Sequence, residues 1–344
     1  MDILHIQNFY NPGGSAKACY ELAVNLRGHN QQFVGFIDGY MRYDFMDIGH
    51  AHLFNTVAPF DYGQRIIDLI SYFKPDIIHV YIPGHESPSY FNMMPDSIPK
   101  VCTVLCGQST GFDYSLFNRI TFPSIYNMNI NKEKCSENKC CVVRCGSSCP
   151  PYSGNEKRGS SIVFGRISAI CPSKKIEDTL YCASKMPNNL FLVAGEVQDK
   201  EYCRKLLEIA RDISNVEFHV NVREDIRENL YDRIDVLHYP TSNEAFCFSI
   251  LEGMERGKAV LSYDNSAIKE LSNKNNLILA KDGDLDELLG LSLDLSNGDL
   301  DVRALGVLNR EVYEEFYTSG RYTDDILDIY MELIDEKKKR NQCQ

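Results

Sequence analysis

The sequence contains no apolar run approaching the roughly 20 residues that a membrane-spanning helix takes. Positive charge is in deficit. The chain has 36 Lys and Arg against 48 Asp and Glu, a formal net charge of −12. That balance excludes broad electrostatic binding of nucleic acid, and it makes any small cationic site stand out. The opening residues, MDILHIQNFY, lack the basic segment of a secretion signal and read as a strand. A cytoplasmic location is expected. A basic run at 337–340 reads first as a solvated helix end and second as a contact for the cytoplasmic membrane face. The paired Cys-x-x-Cys spacing of common zinc modules is also absent.

Apolar residues make up 44% of the 344 positions and charged residues 24%, so the chain is globular and long enough for two domains. Strand patterns at 2–9, 32–37, 76–82 and 101–105 alternate with helical patterns at 15–26 and about 61–73. This alternation predicts a doubly wound parallel sheet, whose ligands sit beyond the carboxyl ends of the strands. Gly13 and Gly14, residues 83–86 with His85 and Glu86, and residues 106–109 therefore become cleft candidates. The turn at Gly13-Gly14 suits a phosphate, although many strand-to-helix turns carry a Gly pair. A Gly/Ser/charged stretch at 152–160 reads as a linker. A second alternating run follows, with strands at 161–167, 190–194, 216–222, 235–239, 259–263 and 277–280, and closing helices at about 301–316 and 321–339.

The stretch TSNEAFCFSILEGMERGKAVLSYD, at 241–264, carries the most chemistry. Ser242 and Asn243 are helix-start residues, Phe248, Leu251 and Met254 fall at helical spacing, and Gly257 ends the helix. Glu244 stands at the mouth of the loop and Glu252 on the helix. Eight helical steps cover at most about 12 Å, the span from a sugar across a diphosphate to a ribose. A helix start suits the diphosphate between two such carboxylates. The plainer reading is a solvated helix with two unrelated glutamates, because this spacing is common by chance. Arg166, at the end of the strand pattern 161–167, and Lys174, at a helix start, are the cationic spot that the net charge makes conspicuous. Aimed at one point, they would stabilise a departing diphosphate. Asp282-Gly283-Asp284 mimics a metal-binding Asp-x-Asp, but its place between strand and helix suits a turn and a cap.

Of 13 cysteines, Cys102, Cys106, Cys182 and Cys247 lie in apolar stretches and read as small core residues. Five others crowd a polar loop: Cys135, Cys140, Cys141, Cys145 and Cys149. Cys135, Cys140, Cys145 and Cys149 are candidate ligands of a structural zinc, with Cys141 as the substitute for Cys140. Disulfides and free thiols are the alternatives.

These motifs resemble those of the retaining, family-4-like glycosyltransferases of the GT-B fold, the glycosyl transferases group 1. The matching residues are Glu244, Phe246, Glu252, Gly257 and Lys258, with Ala245 and Cys247 where the family often has Gly. Gly165, Arg166 and Lys174 match its Gly-Arg and Lys, with a longer loop between. Gly13 and Gly14 match its donor-phosphate turn, and Asn221 and Val222 its backbone contacts to the base. Some relatives carry a Cys-rich insertion ending in Cys-Gly-x-Cys-Pro, which residues 145–150 approach with one extra residue. The chain departs from the pattern at Cys106-Gly107-Gln108, where the family usually has a His that Cys106 cannot imitate in hydrogen bonding. The resemblance covers nearly all of 160–344 and, more loosely, 1–110.

The resemblance implies two Rossmann-like domains across a cleft. An acceptor-side domain at 1–157 would carry the Cys-rich insertion 127–154. A donor-binding domain would span 158–317, and a last helix, 318–344, would cross back to the first domain. The implied reaction moves a sugar from a UDP- or GDP-sugar to a glycan or lipid-linked hydroxyl, with retention and no metal required for chemistry. Arg166 and Lys174 would neutralise the leaving diphosphate and Glu244 would orient the sugar. Glu252 would hold the ribose, and helix N–H groups near Phe246, Cys247 and Phe248 would assist the phosphate. With no side-chain nucleophile evident, attack would come from the face of departure, and the released phosphate oxygen would take the acceptor's proton. Two alternatives stand beside this: a nucleotide-sugar hydrolase or epimerase, and a non-catalytic pseudoenzyme or subunit, for which Cys106 is the best support.

Overall fold

The computed structural model describes residues 1–11, 13–54, 62–82, 89–108, 112–132, 135–148, 161–222 and 224–342. The cleft candidates 83–86 and Ser109, the thiol of Cys149 and the linker 152–160 lie outside these residues. The chain divides into two units, Met1–Ser147 with Tyr317–Gln344, and Ser148–Phe316.

The first unit holds strands β1 (Asp2–Ile6), β2 (Asn30–Gly35), β3 (His50–Leu53), β4 (Ile77–Ile82), β5 (Lys100–Val104), β6 (Arg119–Phe122) and β7 (Cys140–Val142). Its helices are α1 (Gly14–Asn25), α2 (Met41–Met46), α3 (Tyr62–Phe73) and α4 (Ile125–Asn131). The strands form one parallel sheet in the order β3-β2-β1-β4-β5-β6-β7. β1, β4 and β5 read as near-continuous apolar runs because helices cover a parallel sheet on both faces. One face packs Leu4, Ile6, Val80, Val104 and Ile120 against Ile66 and Ile70 of α3. The short elements α2, β3, β6, α4 and β7 were not evident in the sequence, since each is too brief to establish a periodicity.

The other face carries a buried polar network. His79 Nδ1 meets Tyr330 Oη at 2.5 Å, and its Nε2 meets Thr103 Oγ1 at 2.7 Å. His5 meets Tyr81 Oη at 3.2 Å and Gln31 Oε1 at 3.1 Å. Tyr330 comes from the far end of the chain, in the last helix of the unit.

The second unit holds β8 (Val163–Ile167), β9 (Leu190–Gly195), β10 (Val216–Val220), β11 (Val236–Tyr239), β12 (Ala259–Asp264) and β13 (Ile278–Lys281). Its helices are α5 (Ile176–Lys185), α6 (Lys200–Ala210), α7 (Glu224–Arg233), α8 (Phe248–Glu255), α9 (Leu285–Asn297) and α10 (Val302–Phe316). The last helix of the chain, α11 (Ser319–Gln342), returns to the first unit and packs on α1. The sheet of the second unit runs β10-β9-β8-β11-β12-β13, parallel throughout. In each unit the strand order reverses direction beside the first strand, the arrangement of a Rossmann-type sheet, in which ligands bind beyond the strand ends at that switch point. Asp284 caps α9 by accepting from Glu287 N, with Gly283 at φ +74°, so this segment is a turn and a cap. Among the described residues no helix is long and apolar enough to cross a membrane.

Candidate active site

The switch point of the second unit lies between β8 and β11, whose carboxyl ends deliver Arg166 and the loop of Thr241 to Glu244. Gly165 is required by packing. A Cβ there would stand 2.0 Å from Ile234 Cδ1 and 2.1 Å from its Cγ1. Arg166 is fully buried. Its Nε donates to Ser168 Oγ at 3.1 Å, Nη1 to Pro240 O at 2.6 Å and Nη2 to Lys174 O, while the guanidinium lies 3.9 Å over the Tyr239 ring. Arg166, expected to face a diphosphate, is engaged here by protein groups. All three nitrogens serve the protein, and the side chain fastens the loop after β8 to the loop after β11.

A short turn, Pro172–Lys174, precedes Lys175, which adopts φ +44° before α5 begins. This left-handed residue sends two consecutive lysines apart. Lys174 Nζ meets Glu244 Oε1 at 2.5 Å, whereas Lys175 Nζ lies 5.0 Å over the Tyr263 ring and 3.6 Å from Asp282. Thr241 Oγ1 also donates to Glu244 Oε1, at 2.8 Å, and Glu244 N donates to Ser266 Oγ at 3.0 Å. The Ser242 amide and hydroxyl both donate to Ser173 O, each at 3.1 Å. Burial alone would lower the pKa of Lys174. The carboxylate of Glu244 reverses that and holds it above its ordinary value, so the ammonium stays charged. Burial pushes the Cys247 thiol up to about 12, with Glu244 adding to the effect, so Cys247 stays protonated.

Helix α8 starts at Phe248, several residues later than Ser242 and Asn243 suggest. Asn243 and Cys247 lie at φ +57° and +91°, and a helix cannot propagate through them. Seven described residues other than Gly have positive φ. Five of them, Lys175, Asn221, Asn243, Cys247 and Ser266, sit in loops at the carboxyl ends of β8, β10, β11 and β12. Such strain collects where function holds a loop in place. Phe246 is buried and meets the Phe248 ring edge-on at 5.3 Å.

Glu252 is only 2% exposed, and α7 engages it. Arg227 Nη1 donates to Oε2 at 3.2 Å and Tyr231 Oη donates to the same oxygen at 2.8 Å. Lys174 and Glu244 form a pair, Arg166 supports it through the backbone, and Glu252 is bonded to α7. Asn221 uses its side chain locally, its Oδ1 accepting from Val197 N at 2.8 Å, while Val222 follows it in the loop after β10. In the first unit Gly13 and Gly14 are exposed at the start of α1, where no side chain caps the helix. Tyr239, Thr241, Ser173 and Ser266 were missed in the sequence. Their polar atoms and rings acquire meaning only from partners many positions away.

Of the four candidate zinc ligands, Cys149 lies outside the described residues. Cys135 and Cys140 are both half-buried against the apolar cluster of the sheet, and the Cys135 thiol donates to Lys132 O at 3.7 Å. Cys145 is fully buried beside Arg321, its thiol pushed up to about 12 chiefly by burial. Among the described residues no group of three or more His, Cys, Asp or Glu side chains could hold a metal ion. The carbonyls of Cys106 and Gly107 are held by Asn127 and Asn131 of α4.

Residues 155–299 match the family of glycosyl transferases group 1. The matched stretch fills most of the second unit, and the chain has the two-sheet GT-B fold. Among solved structures it resembles Anabaena HepE in complex with UDP and glucose, with a TM-score of 0.79 at 15% identity, covering 97% of this chain and 100% of that one. It also resembles a glycosyltransferase from Rickettsia africae, with a TM-score of 0.79 at 16% identity, covering 97% and 98%. A third likeness is to sucrose-phosphate synthase from Thermosynechococcus elongatus, with a TM-score of 0.79 at 11% identity, covering 98% and 100%. At these identities the likeness is one of fold. No curated protein sequence matches the chain.

Proposed function

We propose that the protein transfers a sugar from a nucleotide-sugar donor to the hydroxyl of a glycan or lipid-linked acceptor, with retention at the anomeric carbon. The observation that carries this reading is the Lys174–Glu244 pair at the switch point of the second unit, held in loops with left-handed residues. Lys174 supplies the charge that the departing diphosphate needs, and it is kept protonated for that purpose. Glu244 aims the ammonium and accepts from a sugar hydroxyl. Arg166 is a positioning residue for both loops. Glu252, paired with Arg227, accepts from the ribose diol, and the backbone at Asn221 and Val222 meets the base. The first unit is the acceptor side.

UDP-sugars are the first donors to test, because Anabaena HepE has been solved with UDP-glucose. Calorimetry with UDP, GDP and their sugars, followed by detection of glycosylated product and NMR of its anomeric proton, tests the reading. Binding and a product with the donor's configuration are expected. An inverted product, or free sugar released with no role for an acceptor, would overturn it. Lys174→Ala should cut turnover about 100-fold or more while the fold survives, and near-normal turnover would refute its role. A second reading, a binder without transfer, is favoured by Cys106 at the place of the family's His. It predicts nucleotide-sugar binding with no product.

A further inference from the structure

More of the second unit holds the Glu252 carboxylate than a ligand contact alone requires. On α7, Arg227 and Tyr231 stand four residues apart and so share one face of the helix. Glu252 and Arg256 stand four apart at the end of α8. The two pairs meet. Tyr231 Oη donates to Glu252 Oε2 at 2.8 Å, and Arg227 Nη1 donates to the same oxygen at 3.2 Å. A carboxylate oxygen has two lone pairs, so α7 saturates Oε2. Arg256 closes the set. Its Nη1 donates to Glu252 O at 3.1 Å, its Nη2 donates to Glu228 Oε2 at 2.5 Å, and its guanidinium lies 4.4 Å over the Tyr231 ring. Glu228 in turn lies 3.8 Å from Arg227 Nη2. Tyr231 is fully buried. Burial, and next the charge of Glu252, hold its phenol well above the ordinary 10, so it stays a donor.

Resting on the assignment of Glu252 to the donor's ribose, we propose that Tyr231 and Arg227 are positioning residues which fix that carboxylate for the ribose, and that this clamp selects ribonucleotides over nucleotides lacking the ribose hydroxyls. A glutamate side chain turns about three bonds, and ordering it on binding lowers affinity. Two donors on Oε2 order it before the ligand arrives. A ribose then satisfies the held acceptor. A sugar without hydroxyls displaces water from it and leaves a buried acceptor unpaired, which is the costly case. As a helix pin alone the pair would be a poor choice, because a buried ion pair stabilises little beyond apolar side chains of equal volume.

Calorimetry on the full chain with UDP, GDP and their 2′,3′-dideoxy counterparts gives the test. The unaltered chain should bind a ribonucleotide about 10-fold or more tightly than its dideoxy form. Tyr231→Phe keeps the ring beneath Arg256 and removes only the donor. It should weaken ribonucleotide binding about 10-fold and leave dideoxy binding unchanged, so that the ratio falls toward one. Arg227→Gln should lower the ratio in the same direction, and at a partly exposed residue it carries the test if Tyr231→Phe does not fold. A role confined to packing would weaken both ligands alike and keep the ratio. A ratio left at the parent value in the folded variants therefore overturns the proposal while the donor reading stands. A parent that binds both forms equally removes Glu252 from the ribose and overturns the clamp with it. A parent that binds neither UDP nor GDP overturns the donor reading itself.

Discussion

Cys247 occupies the position before α8 at φ +91°, a conformation that favours glycine. It is also buried, so its side chain gains from packing what its backbone loses to strain. A β-branched residue would add a clash with its own carbonyl. Cys247→Val should therefore destabilise the protein by about 2 kcal/mol, whereas Cys247→Gly should stay within about 1 kcal/mol of the parent. Urea unfolding of the two variants measures this. The neighbouring lysines show the same dependence on a single dihedral. Lys174 meets Glu244 and Lys175 meets Tyr263 and Asp282 because Lys175 turns left-handed between them.

At the level of elements, β8 and α7 come so close that Gly165 lies against the side chain of Ile234, just past the end of α7. A methyl group at 165 must push Ile234, itself 1% exposed, into a packed interior. Gly165→Ala should cost about 1–3 kcal/mol. Adding Ile234→Ala should recover part of that loss, so that the two effects fall short of their sum. Full additivity in a thermal or chemical unfolding cycle would refute the packing role. Arg166 acts on the same scale, bonding the carbonyls of Lys174 and Pro240 and thereby joining two loops whose side chains make the site.

Across the whole molecule, each unit buries histidine in its sheet. Burial lowers His5 to about 4 and His238 to about 3, and it holds His79 well below its ordinary 6.5. The unfolded chain takes up a proton on each imidazole near pH 6.5, whereas the folded chain resists until far lower pH. The stabilisation is thus complete above pH 6.5 and is lost as pH falls toward 4 and 3. Each of His5 and His238 should account for about 2 kcal/mol between pH 6.5 and 5. Urea midpoints at pH 7 and 5 should show both units weakened. A His5→Gln variant should lose less on acidification than the parent, and an equal loss would remove His5 from the account.

The sequence alone determined that both halves are doubly wound parallel sheets, because strands covered on both faces must be apolar and alternate with amphipathic helices. It also marked Glu244, Lys174 and Arg166, since strand ends and loop mouths can be read from local pattern. Tertiary structure alone decided what those residues touch. Arg166 found carbonyls, Glu252 found Arg227 and Tyr231, and Lys174 found Glu244. Those partners are chosen by strand order, loop conformation and burial, which bring together groups that no local spacing relates.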